Sequence, residues 1–215
     1  MKHISLRRLA KLRHLASGIV LALSICASFC PISKASAQTI GSFYTSTAPK
    51  DCRVKSAGNG VDDSTIRICP GKAGFVVVVS EDDLRETVSI GSSRAAADKE
   101  PAAAASFGPF NSTTPTVEWR AQDGEPFAII QRWHIADTAD EDQNGRPTAK
   151  PMLVVTRLPP GAVCHVAYVD VKANPTANEF ARKAADELAR GFRCGKDEVQ
   201  VIGDSGRAVE LAVRR

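Results

Sequence analysis

Histidine is scarce in this chain, and so are the cysteine spacings that hold metals. Of its 215 residues four are histidines. Two of these, His3 and His14, fall within the first 37 residues. A serine nucleophile needs a base for its proton and a third group to orient that base, so beyond residue 37 only His134 and His165 can serve. No two cysteines stand in a CxxC spacing, which argues against a zinc ribbon or a thioredoxin-like redox site. Long apolar runs are missing too. The stretch from Leu15 to Ile32 is diluted by Ser17, Gly18, Ser24, Ser28 and Pro31, short of the ~20 apolar residues a helix needs to span a bilayer.

That diluted run belongs to a different pattern. Lys2, Arg7, Arg8, Lys11 and Arg13 precede it, and Ala35-Ser36-Ala37 follows it before Gln38. A basic start, a short apolar segment and an A-x-A site make a cleavable secretory signal over residues 1–37, with the cut expected between Ala37 and Gln38. Arg7-Arg8 as a twin-arginine signal lacks support from the residues after the pair. A lipoprotein reading of Cys26 or Cys30 fails on Ile25 and Phe29, which stand where small residues are wanted.

Removing the signal also removes the chain's basic character. The whole sequence carries 28 Lys and Arg against 24 Asp and Glu, a formal +4. Six of the basic residues and none of the acidic ones lie in 1–37, which leaves 22 against 24, or −2. A nucleic-acid partner loses its electrostatic basis. The remaining 178 residues suffice for one domain burying about 70% of its unfolded surface. They hold four cysteines, Cys52, Cys69, Cys164 and Cys194, most simply two disulfides in an exported protein. Proximity in sequence favours Cys52–Cys69 and Cys164–Cys194 among the three possible pairings.

The pattern after residue 37 predicts an α+β fold. It is strand-rich, an antiparallel sheet or small sandwich with one C-terminal amphipathic helix packed on it. GFVVVVS, then SEDD, then LRETVSIG reads as a buried strand, a polar turn and a return strand. Residues 92–115 are a flexible Ala/Ser/Pro-rich connection, poor in large apolar groups except Phe107 and Phe110. TVEWRAQDGEPFAIIQRWHI, residues 116–135, is a hairpin turning at Asp123-Gly124. Its return strand places Phe127, Ile129, Trp133 and Ile135 on one face, and Gln131 interrupts the pattern. PMLVVTRL and AVCHVAYVDV form another strand pair. Asn174-Pro175 opens a helix, Asn as N-cap. Ala177, Phe180, Ala181, Ala184, Leu188 and Phe192 form its apolar stripe, and Lys183, Asp186, Glu187 and Arg190 face water.

Near the C-terminus stands Gly203-Asp204-Ser205-Gly206, and GDSG opens the nucleophile motif of the trypsin-like proteases. The resemblance covers four residues. Their GGP continues here as Gly206-Arg207-Ala208, and His134 and His165 lie in RWHIA and VCHVA contexts. VQVIG and RAVEL read instead as two strands around a turn, which makes Ser205 a turn residue. No catalytic residue is assigned. Asp140-x-Asp142-x-Asn144-Gly145 resembles the opening of an EF-hand calcium loop, with oxygen ligands at alternate positions. Position twelve, where a bidentate Glu belongs, is Pro151, so Asp140, Asp142 and Asn144 mark at most a weak structural Ca2+ site; no other cofactor is expected. His165 alternates with Ala167 and Val169 and reads as a partly buried strand residue. Trp119 and Trp133, side by side across their hairpin, form either an aromatic binding strip or part of the core, the core being favoured.

The runs GVDDSTIRICPGKAG, TPTVEWRAQDGEPFAIIQRWH and GAVCHVAYVDVKANP resemble those of small exported proteins of alphaproteobacteria, a family with no assigned activity. The resemblance implies a periplasmic or secreted address and no particular chemistry. The expectation is a non-catalytic envelope or secreted protein that binds a macromolecular partner or a small ligand. The alternatives are a serine hydrolase using Ser205 and a calcium-stabilised structural module.

Overall fold

The computed structural model describes residues 39–57 and 64–213; the expected signal segment, with Ala37 and Gln38, lies outside them. The described residues build ten strands, beginning with β1 (Ile40–Ser46), β2 (Arg53–Ala57), β3 (Ser64–Pro70), β4 (Val76–Asp82) and β5 (Arg85–Gly91). A short helix α1 (Arg94–Ala97) and a 3-10 turn at Pro101–Ala104 lead to β6 (Asn111–Gln122), β7 (Glu125–Glu141), β8 (Pro147–Arg157) and β9 (His165–Asp170). Helix α2 (Ala177–Leu188), β10 (Gln200–Val201) and helix α3 (Arg207–Val213) complete it. All ten strands form one sheet, ordered β10-β9-β8-β7-β6-β5-β4-β3-β2, with β1 added to β6.

The strand-rich expectation holds, but the sheet is mixed. β10 runs parallel to β9, and β5 meets β6 in parallel at the single pair Arg85–Asn111. Side chains reinforce that thin joint. The buried Glu86 carboxylate accepts from Thr113 N and Thr113 Oγ1 and pairs with Arg67 at 2.5 Å. The rest of β6's edge belongs to β1, paired from Ile40–Gln122 to Ser46–Thr116.

Each face of the sheet has its own core. One joins β-branched residues of β4 and β5 (Val77, Val79, Val88, Ile90) to Trp119, Ile129, Trp133 and Met152, with α3 supplying Ala208 and Val209. The other packs Ile130, Leu153, Val155 and Val169 against Ala177, Ala181, Ala184 and Ala185 of α2. Alanines let the helix approach closely. Charge then fixes its position: Arg120 on β6 donates to both carboxylate oxygens of Asp186 at 2.9 and 2.6 Å, and Arg182 pairs with Glu118. Asp186, expected to face water, is a docking residue.

Four sequence expectations change. Asn174 does not cap α2; Thr176 occupies that place, because the Asn174 amide bridges Asp170 O and Asp204 O. The RAVEL segment is helix, not strand, so two helices follow β9. The tryptophans share a core but are not neighbours, since Trp119 faces Ile129 and Trp133 faces Thr113. Phe127 leaves the face of Ile129, because the register slips between Arg120–Ala128 and Ala121–Pro126 and a bulge turns its side chain into the second core. Gln131, in contrast, stays buried and donates to Thr114 O at 2.9 Å beside another register shift. The 92–115 connection carries packed residues: Ala97, Ala102 and Phe107 are buried.

Candidate functional site

A cleft of about 910 Å³ opens beside the start of β9. Its floor and walls come from segments distant in sequence: Phe107 of the connection, His165 and Tyr168 of β9, Phe192 and Val199 after α2, and Val213 at the end of α3. Lys196, Asp197 and Glu198 line it too.

The floor exists because β9 bulges. Val155 faces Ala167 but Thr156 faces His165, so one extra residue, Val166, interrupts the ladder. His165 is thereby taken off the face of Ala167 and Val169, where alternation had put it, and joins Tyr168. His165 Nδ1 and Tyr168 Oη share a hydrogen bond of 3.0 Å. Phe107 stacks on the imidazole, with centroids 5.8 Å apart and planes 23° apart. Trp133 stands nearly perpendicular to it, at 74° and 6.1 Å. His165 Nε2 is buried and has no hydrogen-bond partner.

Burial sets the electrostatics. Removal from water disfavours the imidazolium and lowers the His165 pKa to about 4. The same desolvation raises Tyr168 to about 12. Both groups are therefore neutral across the physiological range.

The walls are pinned. Cys164 is bonded to Cys194, and Cys52 to Cys69 at the far end of the sheet. Arg157, buried without a carboxylate partner, donates to Phe192 O at 2.9 Å and Pro160 O at 2.6 Å. Next to the lining residues Pro101 and Cys164, Ala102 N donates to Val163 O at 3.0 Å and Val163 N to the Glu100 carboxylate at 2.7 Å. Hydrogen bonding to Arg193 holds the carboxyl of the lining residue Asp197 below the usual range.

The GDSG residues lie elsewhere and are structural. Gly203 has φ 78°, and a Cβ there would stand 2.2 Å from Asn174 Oδ1. A Cβ on Gly206 would stand 2.4 Å from the Asp170 carboxyl carbon. Asp204 N donates to Asn174 Oδ1 at 2.8 Å. The Asp170 carboxylate accepts from Lys172 N, Ala173 N and Ala208 N, each at 2.9 Å. It fastens the turn after β9 to the start of α3 and orients no histidine. His134 sits on β7 beside a smaller hollow with Glu86 and Phe110; partial burial and Arg132 lower its pKa. Ser205 is an exposed loop residue.

Asp140, Asp142 and Asn144 occupy the exposed end of the β7–β8 hairpin. Asp140 accepts from Thr148 Oγ1 at 2.7 Å and pairs with Lys150. Asp142 Oδ1 accepts from Asn144 N and Arg146 N at 2.8 and 3.0 Å. An ammonium beside one carboxylate and a self-capped turn at the other oppose cation binding. Among the described residues no group of three His, Cys, Asp or Glu is placed to hold a metal ion.

Comparison with known proteins adds nothing to this geometry: no family model matches the chain, and no curated protein or solved structure is similar to it. Sequence reasoning missed Phe107, Tyr168 and Phe192 as site residues. The one signal available was His165 and Tyr168 three positions apart on a strand, a spacing that meets on one face only if a bulge intervenes.

Proposed function

We propose that this is an exported protein that binds a small, uncharged, ring-bearing ligand in the cleft beside β9 and does not transform it. The observation that carries the reading is the His165–Tyr168 pair, hydrogen-bonded and desolvated on the floor of an aromatic-walled cleft. Aromatic side chains beside a few convergent polar atoms, in a cleft of this size, are features of a small-molecule site. Proton-transfer catalysis works best with groups that titrate near the operating pH, and these two titrate far from it on either side. A charged ligand group set against the neutral His165–Tyr168 pair would lose hydration there without a compensating charge from either residue. The two disulfides fit an oxidising compartment, in agreement with the secretory signal read in residues 1–37. Among the described residues no helix is long and apolar enough to cross a membrane.

Indole is a suitable probe. Calorimetric titration of the oxidised protein with indole is expected to give a Kd of about 1 mM, the range open to a ligand of that size. Ala105→Trp, which fills the cleft from its wall, should abolish the signal, and Ser205→Ala should leave it unchanged. Binding that survives Ala105→Trp, or no binding at all, would contradict the proposal.

A further inference from the structure

We infer that His165 carries its single proton on Nε2, so that Tyr168 donates its hydroxyl proton inward to Nδ1 and offers the cleft only an accepting oxygen. The ligand class follows from that direction: a ring bearing a hydrogen-bond donor, such as an indole N–H or a phenolic O–H, and not a carbonyl or carboxylate. This deepens the proposed function and rests on it for the identity of the site.

Two tautomers satisfy the 3.0 Å contact between Nδ1 and Tyr168 Oη. With the proton on Nδ1, that nitrogen donates to Tyr168 and the Nε2 lone pair is left buried with no donor. No donor reaches Nε2, the Trp133 indole N–H included, and what packs on the imidazole is aromatic: Phe107, Trp133 and Tyr168. With the proton on Nε2, the orphan becomes a donor, and aromatic faces do accept N–H groups. Trp133 stands at 74° to the imidazole plane, the edge-to-face relation in which such a contact forms. The aromatic shell therefore tolerates a buried N–H and not a buried lone pair.

The consequence is read at Tyr168. Its hydroxyl has one proton, which is spent on His165 Nδ1. His165 is buried while Tyr168 is only partly so, which makes the phenolic oxygen the end of the pair that a ligand meets. Polarised by donating to the imidazole, that oxygen becomes a better acceptor.

Two readouts test this. Ring-nitrogen chemical shifts of isotopically labelled histidine in the free protein should show His165 Nε2 protonated and Nδ1 bare; the reverse pattern overturns the inference whatever the ligand. Indole is then compared with N-methylindole, which keeps the ring and loses the donor. Indole should bind about fivefold more tightly, the worth of one net hydrogen bond, and Tyr168→Phe should remove the difference between the two. Equal affinities, or tighter N-methylindole, overturn the donor rule while leaving the cleft assignment intact. Failure of both probes to bind overturns the cleft assignment and the ligand class together, and the histidine shifts still decide the tautomer.

Discussion

The Gly203–Gly206 loop and the cleft floor each set a hydroxyl on a backbone shaped by buried polar groups, yet they differ in one respect. Beneath the loop, the Asp170 and Asn174 side chains are fully used: every oxygen and nitrogen has a backbone partner. At the floor, His165 Nε2 is buried and has none; of the buried atoms without a partner among the described residues, with Arg67 Nε, Gln131 Oε1 and Arg157 Nε, it is the one on a residue lining the cleft. A buried polar group whose bonds are all made is scaffolding. One left without a partner calls for a reason of its own, and here the reason is an aromatic site built around a neutral pair. The tetrapeptide that looks chemical holds the chain together, and the strand that looked plain carries the proposed site.

Substitution at the loop gives the largest expected effect. Gly206→Ala drives a methyl into the Asp170 carboxylate, which is fixed by three backbone N–H groups and cannot step aside. A loss of about 3 kcal/mol or more is expected in urea unfolding, against less than about 0.5 kcal/mol for Ser205→Ala. Similar small losses in both would dissolve the contrast.

The floor is sharpened by pH. His165 has a folded pKa near 4, below its unfolded value of about 6.5. Its contribution is therefore complete above about pH 6.5. As pH falls from there towards 4 the unfolded chain takes up a proton that the folded one refuses, and stability drops by on the order of 2–3 kcal/mol. His134, also shifted down, adds to the same window, so the diagnostic quantity is the part of the slope that His165→Phe removes. Asp137 acts lower on the scale. Its pairing with Arg207 holds it at about 2, so its contribution persists above about pH 4 and fades as pH falls through 2. An unchanged slope between 6.5 and 4 in His165→Phe would contradict the buried neutral imidazole.

Tyr168→Phe is the mildest change. It deletes a part-buried hydrogen bond and leaves the ring in place, for an expected cost of about 1 kcal/mol in thermal or urea unfolding. A loss as large as that of Gly206→Ala would make Tyr168 a scaffold residue and not a ligand contact.

Much of the fold was legible because it is local. The β4–β5 and β6–β7 hairpins have alternating segments joined at polar turns, and each disulfide closes a short span of chain, 17 residues for Cys52–Cys69 and 30 for Cys164–Cys194. The bulges at Phe127 and Val166 were not legible, since each is a slip of register between strands, and a period-two pattern assumes no slip. RAVEL was misread because five residues fit either period. The cleft escaped for the same physical reason as the bulges: Phe107, His165, Phe192 and Val213 come together only through tertiary packing.

The most direct test follows the backbone amides of the whole protein during an indole titration, with the cleft and the loop watched in one spectrum. The account predicts shifts concentrated at Phe107, His165, Tyr168, Phe192 and Val199, with Gly203–Gly206 unmoved. Shifts centred on Ser205, or none at the cleft, would contradict it.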